Sequence, residues 1–394
     1  MRRLLGLDGL DGPLYRLTLA VLLFHASDAA IIFLMLYLTE AVGLPVDRAG
    51  MVMGMLGLGA IAGSYLAGSL CDRFPARFVL IVVMIATGIL ISLVGALSDP
   101  WLLALLLFLL GMARGGARPA YSVAMMGMVG DAGRMQAFSV YLTAVNLGAG
   151  ISAALAAWMV VYGYGFVFLL SGAMAVGGGV LVILTSAPAN TTVTGKAREI
   201  PRQGPFTDRA FMVFCGAILA WSFIAGQSRS TYPVYLTERF GIDASAYGLL
   251  WTINMTIAVL FSVPLSAFLR RFERGWAIMA STVLFSIFAL LPYGEGPIFL
   301  AISMAVFTIG GIALWPLLVA TVLKRGEDGG AAGRYMGVYN ALFSSAHVVA
   351  PVIGSATYAV YGGDAVWHLV ALSGAAAIVL SFAALRWSRN PLAV

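Results

Sequence analysis

The sequence predicts an all-α integral membrane protein, with twelve transmembrane helices arranged in two pseudo-symmetric six-helix bundles. Composition, the length of the apolar runs and an internal repeat carry this prediction. Of the 394 residues, 61% are hydrophobic and only 10% are charged, whereas soluble domains carry roughly 25% charged residues. The apolar runs are long enough for helices that cross a bilayer, and they lack the alternation of barrel strands.

Polar breaks divide the chain into twelve predicted spans. They cover residues 14–39, 46–70, 77–97, 100–129, 135–162, 164–187, 208–238, 243–269, 275–293, 296–324, 333–361 and 364–386. Every arginine and lysine at or beyond the ends of these spans lies on one side of the predicted membrane, except Arg48 and Arg239. By the positive-inside rule, this pattern predicts a multi-pass protein of the cell membrane with both termini in the cytoplasm.

An internal repeat divides the chain into two halves. The sequence YLTE at 37–40 recurs at 235–238, and each copy is followed by a matching glycine, Gly50 and Gly248. RMQAFSVYLTAVNLGAG from Arg134 is echoed by RYMGVYNALFSSAHVVAP from Arg334. We therefore predict an N-terminal bundle over 1–187, a polar cytoplasmic linker over 188–207 and a C-terminal bundle over 208–394. Parallel repeats of six helices are typical of transporters, whose substrate site lies near the membrane midplane.

The loop between the second and third spans reads GSLCDRFPARFVL over 68–80. It resembles the G-x-L-A-D-R-x-G-R-K-x-x-L motif of the major facilitator superfamily, and the resemblance extends over the whole chain. The matching residues include Gly68, Asp72, Arg73 and Arg77. Pro75 and Ala76 depart from the motif. The resemblance implies a conformational latch between the halves in the outward-facing state; alternatively, these basic residues only follow the positive-inside rule.

Within the superfamily, the chain is most similar to the twelve-helix drug–proton antiporter group. That group carries G-x-x-x-G-P-x-x-G-G in its fifth helix, and residues 144–153 here read AVNLGAGISA, which keeps small residues but lacks the proline. A related pattern, AHVVAPVIGS, occurs at 346–355. This resemblance implies proton-coupled efflux.

Few charged side chains lie deep in the predicted spans, and Asp28 is the only deep acidic one. His25 precedes it by three residues and therefore shares its helix face. The fourth span carries Arg114 and Arg118 at matching depths. Arg114 also resembles the family's fourth-helix arginine, which interacts with the proton-binding acid of the first helix. We predict proton coupling by Asp28, His25 and Arg114; the alternative is a static salt bridge.

The second half places Arg229 and His347 inside spans. Together with Arg118, they are candidates to line a substrate cavity. Amide and aromatic side chains complete the predicted cavity: Asn146, Trp251, Asn254, Trp315 and Asn340. Each of these could instead be a packing residue or a hydrogen bond between helices.

These features favour a secondary active transporter that exports small amphipathic molecules in exchange for protons, by alternating access. An organic-anion or zwitterion transporter is the alternative, because arginines outnumber acids inside the predicted spans. A lipid translocase or a non-transporting receptor is a further possibility on the same fold. The sequence contains no pattern for an enzyme, a cofactor, a metal or nucleic acid. The expected partners are a small-molecule substrate, protons and the lipid bilayer, with the protein as a monomer.

Overall fold

The computed structural model describes residues 12–126, 134–185, 204–269, 271–328 and 332–389. Within these ranges the regular structure is entirely helical, and twelve helices are long and apolar enough to cross a membrane, so the predicted fold class is confirmed. The helices are α1 (Gly12–Ala41), α2 (Val46–Arg73), α3 (Ala76–Val94), α4 (Pro100–Met126), α5 (Arg134–Met159), α6 (Tyr164–Ile183), α7a (Arg209–Gln227), α7b (Thr231–Phe240), α8 (Ala244–Leu269), α9 (Arg274–Phe285, continued by the 3₁₀ turn Ile287–Tyr293), α10 (Gly296–Asp328), α11 (Ala332–Tyr361) and α12 (Gly363–Arg389). Most of the predicted linker, 188–203, lies outside the described residues.

The chain packs into two compact units. Unit 1 comprises Met1–Leu44, Met55–Lys196 and Asp243–Thr252, and unit 2 comprises Pro45–Gly54, Ala197–Ile242 and Ile253–Val394. In unit 1, α1 packs against α5 and α6, while α3 packs against α4 and α6. Leu17 and Phe24 of α1 join Leu80 and Met84 of α3 in one buried core. In unit 2, α7a packs against α11 and α12, and α9 packs against α10.

Four glycines bring the backbones of α2 and α4 into direct contact. A Cβ atom on Gly63 would lie 1.9 Å from the Met112 carbonyl oxygen, and one on Gly115 would lie 2.1 Å from the Ala60 carbonyl oxygen. Gly59 and Gly111 are equally crowded one turn away. Small residues four apart are a common means of close helix packing in membranes. This contact fixes the position of α4 next to Arg114, the residue of this helix that is predicted to face α1.

The two YLTE copies make similar contacts, although their tyrosine partners lie on α6 in unit 1 and on α11 in unit 2, which are not counterparts in the repeat. In each copy the glutamate accepts a hydrogen bond from a tyrosine of another helix. Tyr164 donates to Glu40 at 2.6 Å in unit 1, and Tyr358 donates to Glu238 at 2.5 Å in unit 2. The tyrosine of the first copy, Tyr37, donates to the carbonyl of Val94, the last residue of α3, and to that of Leu97 just beyond it. The repeat therefore ties the ends of neighbouring helices together.

The matching glycines after the two YLTE copies, in contrast, occupy equivalent places in the two units. A Cβ on Gly248 would lie 2.7 Å from the Ala157 Cα atom in unit 1. One on Gly50 would lie 2.6 Å from the Pro351 carbonyl oxygen and within 2.5 Å of the Ser355 side chain in unit 2. Ala157 and Ser355 are 198 residues apart, as are the two glycines. The repeat thus extends to the partners of these residues.

A cluster around Asp208 joins three helix ends in unit 2. Asp208 caps α7a by accepting from the Phe211 N–H at 3.1 Å. Arg325 of α10 donates two hydrogen bonds to the carboxylate, each at 2.7 Å, and Tyr335 of α11 donates at 2.9 Å. Burial by itself raises the pKa of the Asp208 carboxyl, but these hydrogen bonds together hold it below its usual value. No motif in the sequence predicts this cluster.

Candidate proton site and substrate surface

Helix α1 is interrupted near its middle. Its first segment, Gly12–Ala26, ends just before Ser27 and Asp28. The Ser27 hydroxyl donates to the Phe24 carbonyl at 2.5 Å, and the Asp28 N–H bonds to the His25 carbonyl only three residues back. Serine side chains that bond to their own helix in this way bend it. The carboxylate therefore lies at a helix break, where transporters commonly form ion and substrate sites.

The structure brings Asp28 into contact with both an arginine and a histidine. Arg114 of α4 donates a hydrogen bond from Nη2 to one carboxylate oxygen. The Nδ1 atom of His25 lies 3.3 Å from the other oxygen. The three side chains are 27%, 17% and 21% exposed for Asp28, Arg114 and His25, respectively. The carboxylate is thus largely enclosed but not fully buried.

Neighbouring aromatic and small residues hold this cluster in place. The Arg114 guanidinium lies 5.3 Å from the centre of the Phe24 ring, a favourable cation–π distance. Phe24 packs edge-on against the buried Tyr121 ring. A Cβ on Gly148 would lie 2.8 Å from the His25 Cβ atom, so the glycine lets α5 approach α1 closely. Three helices of unit 1 therefore enclose the cluster.

The cluster is suited to binding and releasing one proton. An adjacent guanidinium stabilises the ionised carboxylate, whereas burial favours the neutral acid. The proton affinity of Asp28 consequently depends on how closely Arg114 approaches it. The imidazole of His25 contacts the same carboxylate, and this contact offers a path for a proton between the two groups.

The other charged residues of unit 1 occupy different places. Arg118 is exposed, whereas His25 bonds to Asp28. Arg77, predicted in the latch with Asp72, donates to the Val182 and Ile183 carbonyls, the latter at 2.8 Å, and so caps the end of α6.

The rest of the predicted latch remains a prediction. Arg73 is exposed at the end of α2. The helix continues through Gly68 and Asp72, but the surroundings of these two residues lie outside the described part of the structure. Arg77 therefore has a local structural role that the motif alone did not indicate.

Unit 2 contains a second helix break, between α7a and α7b. Buried Gln227 ends α7a; its amide donates to the Ala350 carbonyl of α11 at 3.0 Å, and its side-chain oxygen accepts from Thr231 at 2.7 Å. A Cβ on Gly354 would lie 2.2 Å from that oxygen, so the glycine provides the space for the amide. The sequence places Gln227 two residues before the intramembrane Arg229 and suggests a cavity position near it, but it does not predict these hydrogen bonds to α7b and α11.

The predicted cavity residues divide into buried and accessible groups. Asn254 is buried and donates to the Thr308 hydroxyl at 2.6 Å, which corresponds to the packing alternative. Trp251 is also buried and packs edge-on against Tyr247. The accessible or partly accessible members are Asn146, Arg229, Trp315, Asn340 and His347. Within the described ranges, no group of three histidine, cysteine or acidic residues is placed to bind a metal.

Several curated proteins are similar to this chain. The MFS-type transporter YttB of Bacillus subtilis (strain 168), whose function is uncharacterised, is 29% identical over 346 residues, which is 83% of each chain. A Na⁺, Li⁺, K⁺/H⁺ antiporter of Planococcus maritimus is 23% identical and covers 81% of this chain and 83% of its own. The multidrug resistance protein MdtH of Salmonella arizonae is 23% identical over 68% of this chain and 67% of its own.

A solved structure shares the fold at lower sequence identity. A POT family transporter in complex with 5-aminolevulinic acid superposes with a TM-score of 0.77 at 16% identity, covering 97% of both chains. The profile of the Major Facilitator Superfamily matches residues 17–228 and 213–393, nearly the whole sequence. Members of this family are transporters rather than enzymes. The chain is therefore a multi-pass membrane transporter that belongs to the Major Facilitator Superfamily.

Proposed function

We propose that the protein exports small amphipathic molecules in exchange for protons, and that Asp28 carries the proton. The observation that carries this proposal is the contact of Asp28 with Arg114 at the break in α1. The similarity to a cation/H⁺ antiporter and to a multidrug resistance protein supports the same class of transport. The proposal includes the cell membrane as the location, cytoplasmic termini and a monomeric state.

Coupling follows from the strength of the ion pair. An ionised Asp28 neutralises Arg114, whereas a protonated Asp28 leaves the guanidinium without its counter-charge in a poorly solvated place. A rearrangement of α1 against α4 during alternating access changes the distance between the two groups. The proton is then bound more tightly in one state than in the other, which is the requirement for coupling. The predicted latch residues, Asp72 and Arg73, would bias the equilibrium between these states.

The second candidate is a transporter of organic anions or zwitterions that does not exchange protons. The balance of charges inside the spans favours it, because there are three arginines, Arg114, Arg118 and Arg229, and a single deep acid, Asp28. In this case the pair of Asp28 and Arg114 would serve as a brace, and the other two arginines would determine substrate charge.

Proteoliposomes that contain a trapped pH-sensitive dye test the proposal. Cationic, zwitterionic and anionic amphiphiles are added to the wild type, Asp28→Asn and Glu40→Gln. Glu40 is a matched control because it is an acid near the far end of the same helix. We expect substrate-evoked proton movement in the wild type and the control, and none in Asp28→Asn.

The double variant Asp28→Asn/Arg114→Gln distinguishes a proton carrier from a brace. Removing only one partner of a buried pair leaves a charge exposed to an apolar environment, so each single variant can lose activity for structural reasons. The double variant removes both charges and should restore folding. Restored transport with undiminished proton movement would contradict the role of Asp28, whereas a folded protein that no longer couples protons supports it.

A further inference from the structure

Three neighbouring aromatic side chains of unit 2 are at least partly exposed and lie near an intramembrane arginine. Phe343 of α11 lies at its centre, with its ring 5.1 Å from Trp315 of α10 and 5.6 Å from His347, measured between ring centroids. Both contacts are edge-on. Trp315 and Phe343 are partly exposed and His347 is exposed, so this row is not sealed in the core. We call Trp315, Phe343 and His347 the aromatic row.

An arginine, Arg229, lies beside the aromatic row. Arg229 follows the end of α7a, and this end packs against α11 beside His347. A Cβ on Gly226 would lie 3.4 Å from the Ala346 carbonyl oxygen, and Gln227 donates to the Ala350 carbonyl at 3.0 Å. Within residues 208–394, every acidic residue lies at or near a helix end: Asp208, Glu238, Asp243, Glu273, Glu295, Glu327, Asp328 and Asp364. The interior of unit 2 therefore favours an anion over a cation.

The chemistry of Arg229 and its aromatic neighbours favours a carboxylate that carries a ring. A guanidinium presents five N–H donors in a fixed plane, so two of them can bind a carboxylate while the others keep contacts with the protein. The adjacent rings offer apolar faces and edges to a second ring. His347 is held along its own helix, because its Nδ1 atom lies 3.3 Å from the Phe343 carbonyl oxygen.

We propose that Arg229 and the aromatic row bind aromatic carboxylates, with the carboxylate on Arg229 and the ring against Phe343 and Trp315. This assigns a substrate class to the substrate surface predicted from the sequence and rests on the proposed function for its role in transport. The binding itself does not depend on proton coupling. A cationic amphiphile of the same size would meet the charge of Arg229 and bind poorly.

Three ligands of one shape test this inference by isothermal titration calorimetry on the full chain in detergent: 2-naphthoate, the neutral 2-naphthamide and 2-naphthylmethylammonium. We expect naphthoate to bind the wild type best. Arg229→Gln should weaken naphthoate by about tenfold or more, because a charge-assisted bidentate contact is lost, and should leave naphthamide nearly unchanged. Phe343→Leu should weaken both of these ligands. Arg239→Gln is the matched control, because Arg239 is an arginine near the far end of α7b, the segment that follows Arg229. This change should alter the binding of neither ligand.

The outcomes separate this inference from the proposed function. Equal binding of the three ligands, or naphthoate binding that Arg229→Gln leaves unchanged, would overturn the inference even where Asp28-dependent proton movement is present. Naphthoate binding that requires Arg229 would support it even where Asp28→Asn has no effect on proton movement. Arg229→Lys provides a further check, since it keeps the charge but loses the planar fork, and should give intermediate affinity.

Discussion

The cluster around Asp208 allows a stability change to be worked out from the structure. Asp208 is 7% exposed and receives two hydrogen bonds from Arg325, which is 32% exposed. Asp208→Asn is the informative change, because asparagine also caps helices and can still accept from the Phe211 N–H. It removes the negative charge and one of the two acceptor oxygens. Arg325 then faces a neutral amide that presents donors toward it.

The expected cost follows from the burial of the two partners. Breaking a fully buried ion pair by removing one partner costs about 3–5 kcal/mol. Because a third of the Arg325 side chain is exposed, water recovers part of this loss, and we expect about 2 kcal/mol for Asp208→Asn. Asp208→Ala also loses the helix cap, which adds about 1 kcal/mol. The difference between the two variants therefore isolates the cap from the ion pair.

Unfolding of the purified protein in mixed micelles of mild detergent and sodium dodecyl sulfate measures these free energies. Asp243→Asn is the matched control: Asp243 accepts from the Ala246 N–H at 2.7 Å before α8, but at an exposed position. Its replacement should cost less than about 0.5 kcal/mol. Equal stability of the wild type and Asp208→Asn would refute the reasoning, as would equal losses for Asp208→Asn and Asp243→Asn.

The pH dependence provides an independent check. The folded-state pKa of Asp208 lies below its unfolded value, so the stabilisation is fully present above the unfolded value of about 3.9. It is lost as the pH falls through the lower folded-state pKa. The stability difference between the wild type and Asp208→Asn should therefore be constant near neutral pH and shrink below about pH 4. A difference that grows on acidification would contradict the assigned direction.

Two further predictions concern glycines that make room for a neighbour. Gly63→Ala places a methyl group against the Met112 carbonyl oxygen and should lower the free energy of unfolding by about 1–3 kcal/mol; Gly177→Ala, with nothing nearer than 3.9 Å, is the control, and equal effects would contradict the packing argument. Gly354→Ala should displace the Gln227 amide and destabilise the protein, and Gln227→Ala should relieve most of that clash in the double variant, as a double-mutant cycle would show.

Much of the fold follows from the sequence because the membrane limits the alternatives. Backbone groups in hydrocarbon must be paired within the chain, so a continuous apolar run of sufficient length forms a helix. The matching glycines that follow the two YLTE copies also make equivalent contacts in the two units. The interruptions in α1 and α7 do not follow from hydropathy, because they depend on local serine hydrogen bonds such as that of Ser27.

The charged residues of the candidate site could be predicted from the sequence, whereas the roles of its neutral polar residues could not. Asp28 and Arg114 could be predicted as partners because an unpaired charge in a bilayer has a high free-energy cost, which pairing with an opposite charge reduces. A neutral asparagine carries no such constraint, so the sequence did not distinguish a cavity position for Asn254 from its observed bond to Thr308. Asp208 was overlooked because an acid at a helix start has an ordinary role, and its pairing with Arg325 spans 117 residues.

The two proposals together determine how the transporter would respond to a membrane potential. Inward movement of one proton and outward movement of one aromatic carboxylate both transfer positive charge inward, so one cycle moves two charges. At 100 mV this corresponds to about 4.6 kcal/mol, at about 2.3 kcal/mol per charge. Exchange of a proton for a monovalent cation moves no net charge and gains nothing from the potential. An anion-selective Arg229 would therefore let the interior-negative potential and the proton gradient act in the same direction, which makes export of an aromatic carboxylate the more strongly driven of the two exchanges.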